Sequence, residues 1–450
     1  MRDISEFINK IHQGHTLAVL KEIPSDTISC VITSPPYWNL RAYGTEPVVW
    51  GGDKDCQHEW KSERTPRPNA SGGKTEWAKQ KLRCKGKENM SEWVDYKDRA
   101  SYSDYCEKCN AWKGELGQEP HFNEYILHLC DIFDEIKRVL REDGTCFVNI
   151  GDTFAGSGNG QDWQSIEKER EGKNETMRKA AGVKQKLKLL PDKSLCGLPE
   201  RFMIEMMDRG WLVRNKIIWY KKNVMPSSAK DRFTVDFEPV YLFTKNKKYW
   251  FEQQYEPLSP ETVLDINRRK NMSCLTGEKG SKHFDNPDSV YDKQKTNRKR
   301  TEFANLEKGR NKRCVWDIMT DPFPEAHFAV FPPALVETPI LAGCPEKICQ
   351  KCGFVAENLY EEKSEEQKAE EKETGLISKP KIVGHTNCDC ELPDWKPGIV
   401  LDPFSGSGTS CMVADNLGRR WIGIDLQPDY VKMSEKRLEK SGSPLFRGLT

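Results

Sequence analysis

The most constraining stretch lies near the end of the chain. Gly398-Ile399-Val400-Leu401-Asp402-Pro403-Phe404 is a short apolar run that breaks into Ser405-Gly406-Ser407-Gly408-Thr409 and continues as the helical pattern of Ser410 to Leu417. The order is strand, glycine turn, helix. A second strand, Trp421-Ile422-Gly423-Ile424-Asp425, ends in an acid 19 positions after Gly406, and Pro428 opens a last helix. This βαβα unit leaves a parallel sheet unfinished, and few residues follow it. The missing strands must come from the start of the chain, where Ile8 to Gln13 reads as a strand, Thr16 to Ile23 as a helix, and Ile28 to Thr33 as a buried strand. The expected fold is a doubly wound, Rossmann-like α/β sheet, circularly permuted in sequence, with the two chain ends close in space. Further strands fit Thr145 to Ile150 after a helix at Asn123 to Leu140, and Leu212 to Tyr220 after a helix at Pro199 to Arg209. Val240 to Thr244 is expected to close the sheet.

The glycine turn from Phe404 to Gly408 lets backbone approach a ligand, because a Cβ at either glycine would obstruct it. Asp425 is placed to accept hydrogen bonds from ribose hydroxyls. Two common nucleotide sites are disfavoured. The G-x-G-x-x-G pattern would require glycine where Cys411 stands, and no Gly-Lys-Ser/Thr follows the turn. A glycine turn without a ligand remains the plain alternative for this motif taken alone.

The strand Ile28 to Thr33 runs into Ser34-Pro35-Pro36-Tyr37. Two successive prolines cannot donate backbone hydrogen bonds, so their carbonyls are left as acceptors where the sheet stops. A flat exocyclic amine, as on cytosine or adenine, is a poor nucleophile because its lone pair is delocalised into the ring. If Ser34 Oγ and the Pro35 carbonyl took its two N–H groups, the nitrogen could direct its lone pair at an electrophile, with Tyr37 stacked on the ring. The alternative is a Pro-Pro strand terminator without chemistry. Attack at cytosine C5 would need a thiolate, usually from a Pro-Cys dipeptide, which the sequence lacks. Cys30 reads as a core thiol.

Thr33-Ser34-Pro35-Pro36-Tyr37 followed late in the chain by Asp402-Pro403-Phe404-Ser405-Gly406-Ser407-Gly408-Thr409 resembles the β-class amino DNA methyltransferases, in which the catalytic motif precedes the S-adenosylmethionine motif. The likeness extends through Asn149-Ile150-Gly151-Asp152, Ile217-Ile218-Trp219-Tyr220-Lys221 and Pro322-Phe323-Pro324-Glu325-Ala326-His327-Phe328. It implies catalysis by Ser34, Pro35, Pro36 and Tyr37. It implies S-adenosylmethionine at Asp402, Pro403, Phe404, Ser405, Gly406, Gly408, Thr409 and Asp425, with the segment from His327 to Gly343 closing the pocket. His15 stands where family members often carry an acid, and is a candidate cofactor contact or a surface histidine. Serine at the first catalytic position inclines the resemblance towards cytosine N4, with adenine N6 as the alternative. The implied activity is site-specific methylation of double-stranded DNA by base flipping and in-line attack, with a restriction endonuclease as a candidate partner.

Sixteen cysteines call for an explanation. No stretch reaches the roughly 18 apolar residues of a membrane span, and the first residues lack a signal peptide's apolar core. A soluble, cytoplasmic protein with reduced thiols and metal ligands is therefore expected. Cys349-x-x-Cys352 with Cys388-x-Cys390 reads as a structural zinc knuckle, with Cys344 as a substitute ligand. Cys56-x-His58 with Cys106-x-x-Cys109 reads as a second zinc site, with Cys84 as the rival ligand. Free thiols in a hairpin are the alternative for the first of these, the Cys349 to Cys390 group. Four protein ligands leave no position for water, so both sites read as structural.

The net charge of +1 excludes a global field for nucleic acid, so contacts must come from local segregation of charge. Residues 268–313 hold 14 Lys/Arg against 6 Asp/Glu, a net of +8, and are the expected recognition segment, although such a run is usually a solvated face. Trp38-Asn39-Leu40-Arg41 is placed to touch the target base or its neighbours, and residues 164–188 read as an insertion. The expected layout has a catalytic half at 1–50 and 121–250 and a cofactor half at 316–344 and 396–450. Zinc-bearing insertions fill 51–120 and 345–395, and the recognition segment fills 251–315. A zinc-bearing DNA-binding protein without turnover is the alternative from another class, and methylation of a protein amide is a third.

Overall fold

The computed structural model describes residues 2–40, 45–60, 104–155, 190–191, 193–257, 261, 310–320, 330–361, 364, 366–367 and 382–441. Most of the basic segment lies outside these residues, save 310–313, as do Arg41, Cys84, residues 164–188 and residues 321–329 with His327.

In chain order the first elements are β1 (Lys10–Gln13), α1 (Thr16–Glu22), β2 (Ile28–Thr33), β3 (Val48–Trp50), β4 (Asp104–Tyr105) and β5 (Trp112–Gly114). Next come α2 (Phe122–Val139), β6 (Leu140–Asn149), α3 (Leu198–Asp208), β7 (Leu212–Tyr220), β8 (Phe237–Thr244), β9 (Tyr255–Glu256), β10 (Arg310–Asn311) and β11 (Val315–Asp317). The remainder are α4 (Pro333–Gly343), β12 (Ile348–Cys349), β13 (Asn358–Tyr360), β14 (Ile382–His385), β15 (Trp395–Lys396), β16 (Ile399–Asp402), α5 (Thr409–Asn416), β17 (Arg420–Asp425) and α6 (Pro428–Ser441). Among the described residues no helix is long and apolar enough to cross a membrane.

Two compact units divide the chain: Met1–Pro35, Ile132–Asp152 and Leu198–Thr450 form the first, Pro36–Asp131 and Thr153–Gly197 the second. The first is built on a mixed sheet of order β1-β17-β16-β2-β6-β8-β7-β11. β1, β17, β16, β2 and β6 run parallel to one another, and β8 is antiparallel to both β6 and β7. Parallel strands covered on both faces need apolar side chains throughout, which explains why β2 and β16 are buried at every position. Alternate residues of a strand point to opposite faces. Leu242 of β8 joins Leu335 and Ile340 of α4 in one cluster, whereas its neighbour Phe243 meets Phe202 of α3 at 5.8 Å. Phe202 in turn meets Phe133 of α2 at 5.1 Å.

β8 departs from expectation. It begins at Phe237 rather than Val240 and lies inside the sheet, between β6 and β7, while β11 occupies that edge. Its first two positions are not buried, so no apolar run announces its start.

In the second unit β3, β5 and β4 form a small antiparallel sheet. Trp50 and Trp112, paired across β3 and β5, both stack on His128 of α2, with centroids at 5.1 and 5.7 Å. His128 Nδ1 lies 3.1 Å from Oε1 of Glu119, a carboxylate whose pKa burial pushes up against the opposing His128 bond.

Candidate active site

The strand that carries the glycine turn and the strand that carries the two prolines are neighbours. Val400 pairs with Cys30 and Leu401 with Val31. Where they end, Thr33 Oγ1 donates to Asp402 Oδ1 at 2.7 Å, across 369 residues of sequence. Asp402 also accepts the N–H of Phe404 at 3.1 Å. Complete burial raises its pKa to about 6, the bonds from Ser410, Thr33 and Phe404 holding it from rising further.

Ser34, half-buried, and Pro35, buried, follow Thr33 directly at this edge. Pro36 and Tyr37, both half-buried, belong to the second unit. There the Tyr125 hydroxyl donates to the Pro36 carbonyl at 2.9 Å, Trp38 Nε1 donates to the Glu119 carbonyl at 2.9 Å, and Gly117 N–H donates to Glu119 Oε2 at 2.7 Å. Tyr125, Glu119 and His128 were not legible as site residues, because they meet the motif through tertiary contacts that leave no spacing signal.

The glycine turn is shaped for close approach. Gly406 and Gly408 have φ of 53° and 74°, and a Cβ on Gly408 would lie 2.9 Å from Ser434 Cβ. Asp425 spans the turn, accepting the Gly406 N–H at 2.8 Å and the Gln427 N–H at 2.9 Å. Desolvation raises its pKa to about 6, opposed by those two N–H bonds. A carboxylate has about four lone-pair sites, so Asp425 keeps acceptor capacity. Ser405 Oγ is buried with no hydrogen-bond partner. Pro403 is buried and accepts from Thr16 Oγ1 at 2.8 Å, Phe404 is half-buried, and Thr409 is buried against Arg437 Nη1 at 2.7 Å. His15 caps α1 beside the Gln13–Asp425 pair, and desolvation followed by Lys21 lowers its pKa. A cleft lined by Thr33, Asn149, Val240, Phe331, Leu335 and Pro339 opens between the ends of β2 and β6 and helix α4.

The metal-ligand candidates also converge. Cys56, His58, Cys106 and Cys109 form one group and Cys349, Cys352, Cys388 and Cys390 another, with ligand atoms within 4.8 Å of one another in each. The Cys56–Cys106 and Cys349–Cys390 sulfur separations are 3.8 and 3.9 Å. A tetrahedron of thiolates at a Zn–S distance of about 2.3 Å has an edge of about 3.8 Å. The two Cys-x-x-Cys turns share one backbone design. Cys106 N–H donates to the Ala111 carbonyl and Asn110 N–H to the Cys106 carbonyl, as Cys349 N–H does to Phe354 and Gly353 N–H to Cys349. The residue after the second cysteine is left-handed in both, Asn110 at φ 59° and Gly353 at φ 75°. Asparagine or glycine at that position was the available sequence signal. Cys344 lies in the apolar core and is not part of the second group.

A mixed sheet in which two adjacent parallel strands end in an acid-spanned glycine turn and a double-proline exit has a Rossmann-like α/β architecture. A family model for the N6/N4 methyltransferases, described as DNA methylase, matches residues 28–350 and 390–436. The chain belongs to this family of DNA methyltransferases. It is 25% identical over 440 residues to the type II methyltransferase M.Cfr9I of Citrobacter freundii, covering 97% of this chain and 90% of that protein. It is likewise 25% identical over 431 residues to M.SmaI of Serratia marcescens, covering 95% and 90%. Among solved structures it is similar to the cytosine-N4-specific PvuII DNA methyltransferase, at 14% identity and a TM-score of 0.43, covering 97% of this chain and 93% of that one.

Proposed function

We propose that the chain is a site-specific, type II DNA methyltransferase that transfers a methyl group from S-adenosylmethionine to the exocyclic N4 amine of cytosine in double-stranded DNA. The observation that carries this reading is the Thr33–Asp402 bond, which ties the strand leading to Ser34 to the strand leading to the glycine turn. When bound, S-adenosylmethionine supplies an electrophilic methyl group on a sulfonium. Asp425 would accept its ribose hydroxyls, the Phe404–Gly406 backbone and Ser405 Oγ would line it, and α4 would close the pocket. The donor set fits such a group, since Ser405 Oγ is buried without a partner and both glycines keep Cβ atoms out of the turn.

Ser34 Oγ and the Pro35 carbonyl accept the two amine N–H groups of the flipped base, and Tyr37 stacks on its ring. Positioning then carries most of the rate, as oriented systems reach effective molarities of about 10⁵–10⁸ M. In this reading the sheet is circularly permuted. Both cysteine groups hold structural zinc, a reading supported by one sulfur separation in each that matches the edge of a zinc–thiolate tetrahedron.

Mass spectrometry of nucleosides from DNA of cells expressing the protein tests the proposal. N4-methylcytosine is the expected product, N6-methyladenine would transfer the same machinery to adenine, and unmodified DNA would refute the activity. Ser34→Ala should abolish the product while leaving S-adenosylmethionine affinity within about twofold of wild type. Equal loss of both would contradict the role given to Ser34.

A further inference from the structure

The hairpin of β7 and β8 overshoots the catalytic edge. Thr33 pairs with Val148, Val148 with Tyr241, and Tyr241 with Lys216, so these four residues share one row across the sheet. The β7–β8 ladder continues past that row to the Tyr220–Phe237 pair. Four more residues at about 3.3 Å each carry it roughly 13 Å beyond the level at which β2 stops. Three strand spacings of about 4.8 Å separate β2 from β7, so the hairpin stands about 14 Å to the side of Ser34. That offset is close to the ~12 Å width of a DNA major groove.

The loop at residues 221–236 is braced at its base. Lys221 N–H donates to the Asp236 carbonyl at 2.7 Å, and Lys221 and Lys222 form ion pairs with Glu238 and Asp317. Asn223 exchanges hydrogen bonds with Thr320 at 2.8 and 2.9 Å. Further out, Ser227 N–H donates to Thr234 Oγ1 at 3.3 Å. On this anchored frame Phe233 is 96% exposed and Met225 85%. No described large apolar side chain is more exposed than Phe233. With Lys221 and Lys222 paired at the base, residues 224–235 carry Lys230 and Arg232 against Asp231, a net of +1. An aromatic ring held out in water on a braced projection, with Lys230 and Arg232 just before it in the chain, fits one partner: an anionic polymer with flat, stackable faces.

We propose that this loop is a duplex-DNA contact and that Phe233 stacks on the base pairs bordering the target, occupying the gap left when the base is drawn towards Ser34. The inference rests on the reading of the chain as a base-flipping DNA methyltransferase. Extruding a paired base costs a few kcal/mol, and proteins offset such costs with apolar side chains inserted at a base step. Phe233 is a positioning residue in this scheme. It acts on the duplex and leaves the chemistry to Ser34.

The test uses the full chain and a short duplex bearing the site found methylated in expressing cells. Absence of methylation by the wild-type protein would defeat the functional reading itself. With wild type active, Phe233→Ala should lower the single-turnover rate on paired duplex roughly tenfold to a hundredfold, the range expected for a lost base–aromatic stack. The rate should return to within about threefold of wild type when the base opposite the target is mismatched, since extrusion then costs little. Phe233→Trp should keep the paired-duplex rate. A paired-duplex rate for Phe233→Ala within twofold of wild type would overturn the inference, and so would a loss that the mismatch does not relieve.

Discussion

Thr33→Val isolates the bond that joins the two distant parts of the chain. Valine has nearly the same shape, and Thr33 is 1% exposed, so the change removes a hydroxyl without opening a cavity. The lost bond is to the Asp402 carboxylate, and hydrogen bonds to charged groups contribute about 1.5–3 kcal/mol. The loss depends on pH. The folded-state pKa of Asp402, raised to about 6, lies above its ordinary value of 3.8. The fold therefore holds a proton that the unfolded chain has released, and ionising Asp402 in place costs stability that is complete above pH 6. Thr33 reduces that cost, so its contribution is fully present above pH 6 and fades as Asp402 takes up its proton below it. Urea unfolding at pH 8 should show Thr33→Val less stable by about 2 kcal/mol, and at pH 5 by about 1 kcal/mol or less. Hydrogen exchange of peptides spanning residues 28–33 and 399–402 should report faster opening of both strands together. An equal loss at both pH values, or none at pH 8, would refute the argument that an ionised Asp402 is held by Thr33.

Other expectations follow from the same geometry. Asp425, with its pKa raised to about 6, should bind S-adenosylmethionine fully only when ionised, so affinity measured by equilibrium binding should be constant above pH 6 and fall about tenfold per unit below it. Asp425→Asn should bind more weakly and lose that pH dependence. Metal analysis of the purified chain should find two zinc ions, with Cys109→Ala and Cys352→Ala each retaining one, and chelation should lower the thermal midpoint. Tyr125→Phe removes the donor to the Pro36 carbonyl, which should cost about 1 kcal/mol of stability and slow methyl transfer while S-adenosylmethionine affinity stays unchanged.

The parts of the fold that could be read in the sequence are those whose physics is local. β2 and β16 stand out because a strand covered on both faces must be apolar at consecutive positions. The glycine turn stands out because left-handed backbone at Gly406 and Gly408 selects for that residue. Thiol spacing announced both cysteine groups, and the structure brings together the four ligands expected in each. β8 differs from its expected edge position for the converse reason. Its inner position depends on antiparallel pairing with β6 and β7, and no local pattern records a partner. β11, of three residues with only Trp316 buried, is too short for any periodicity to show. The Trp50–His128–Trp112 stack and the Glu119 carboxylate at the His128 ring edge are brought together by tertiary packing. Each one alone reads as an ordinary core or surface side chain.

The position of β1 has a consequence for how the protein is made. Lys10 of β1 pairs with Ile422 of β17, and Val31 of β2 with Leu401 of β16. On a ribosome adding about 5–20 residues per second, the first strand waits on the order of 20–80 s for its partner. A nascent chain released before β16 and β17 emerge would carry the double-proline exit and no glycine turn beside it. On the function proposed above, interrupted translation would thus yield a chain without its methyl-donor site, and competence to mark DNA would arrive all at once, with the last strands of the sheet.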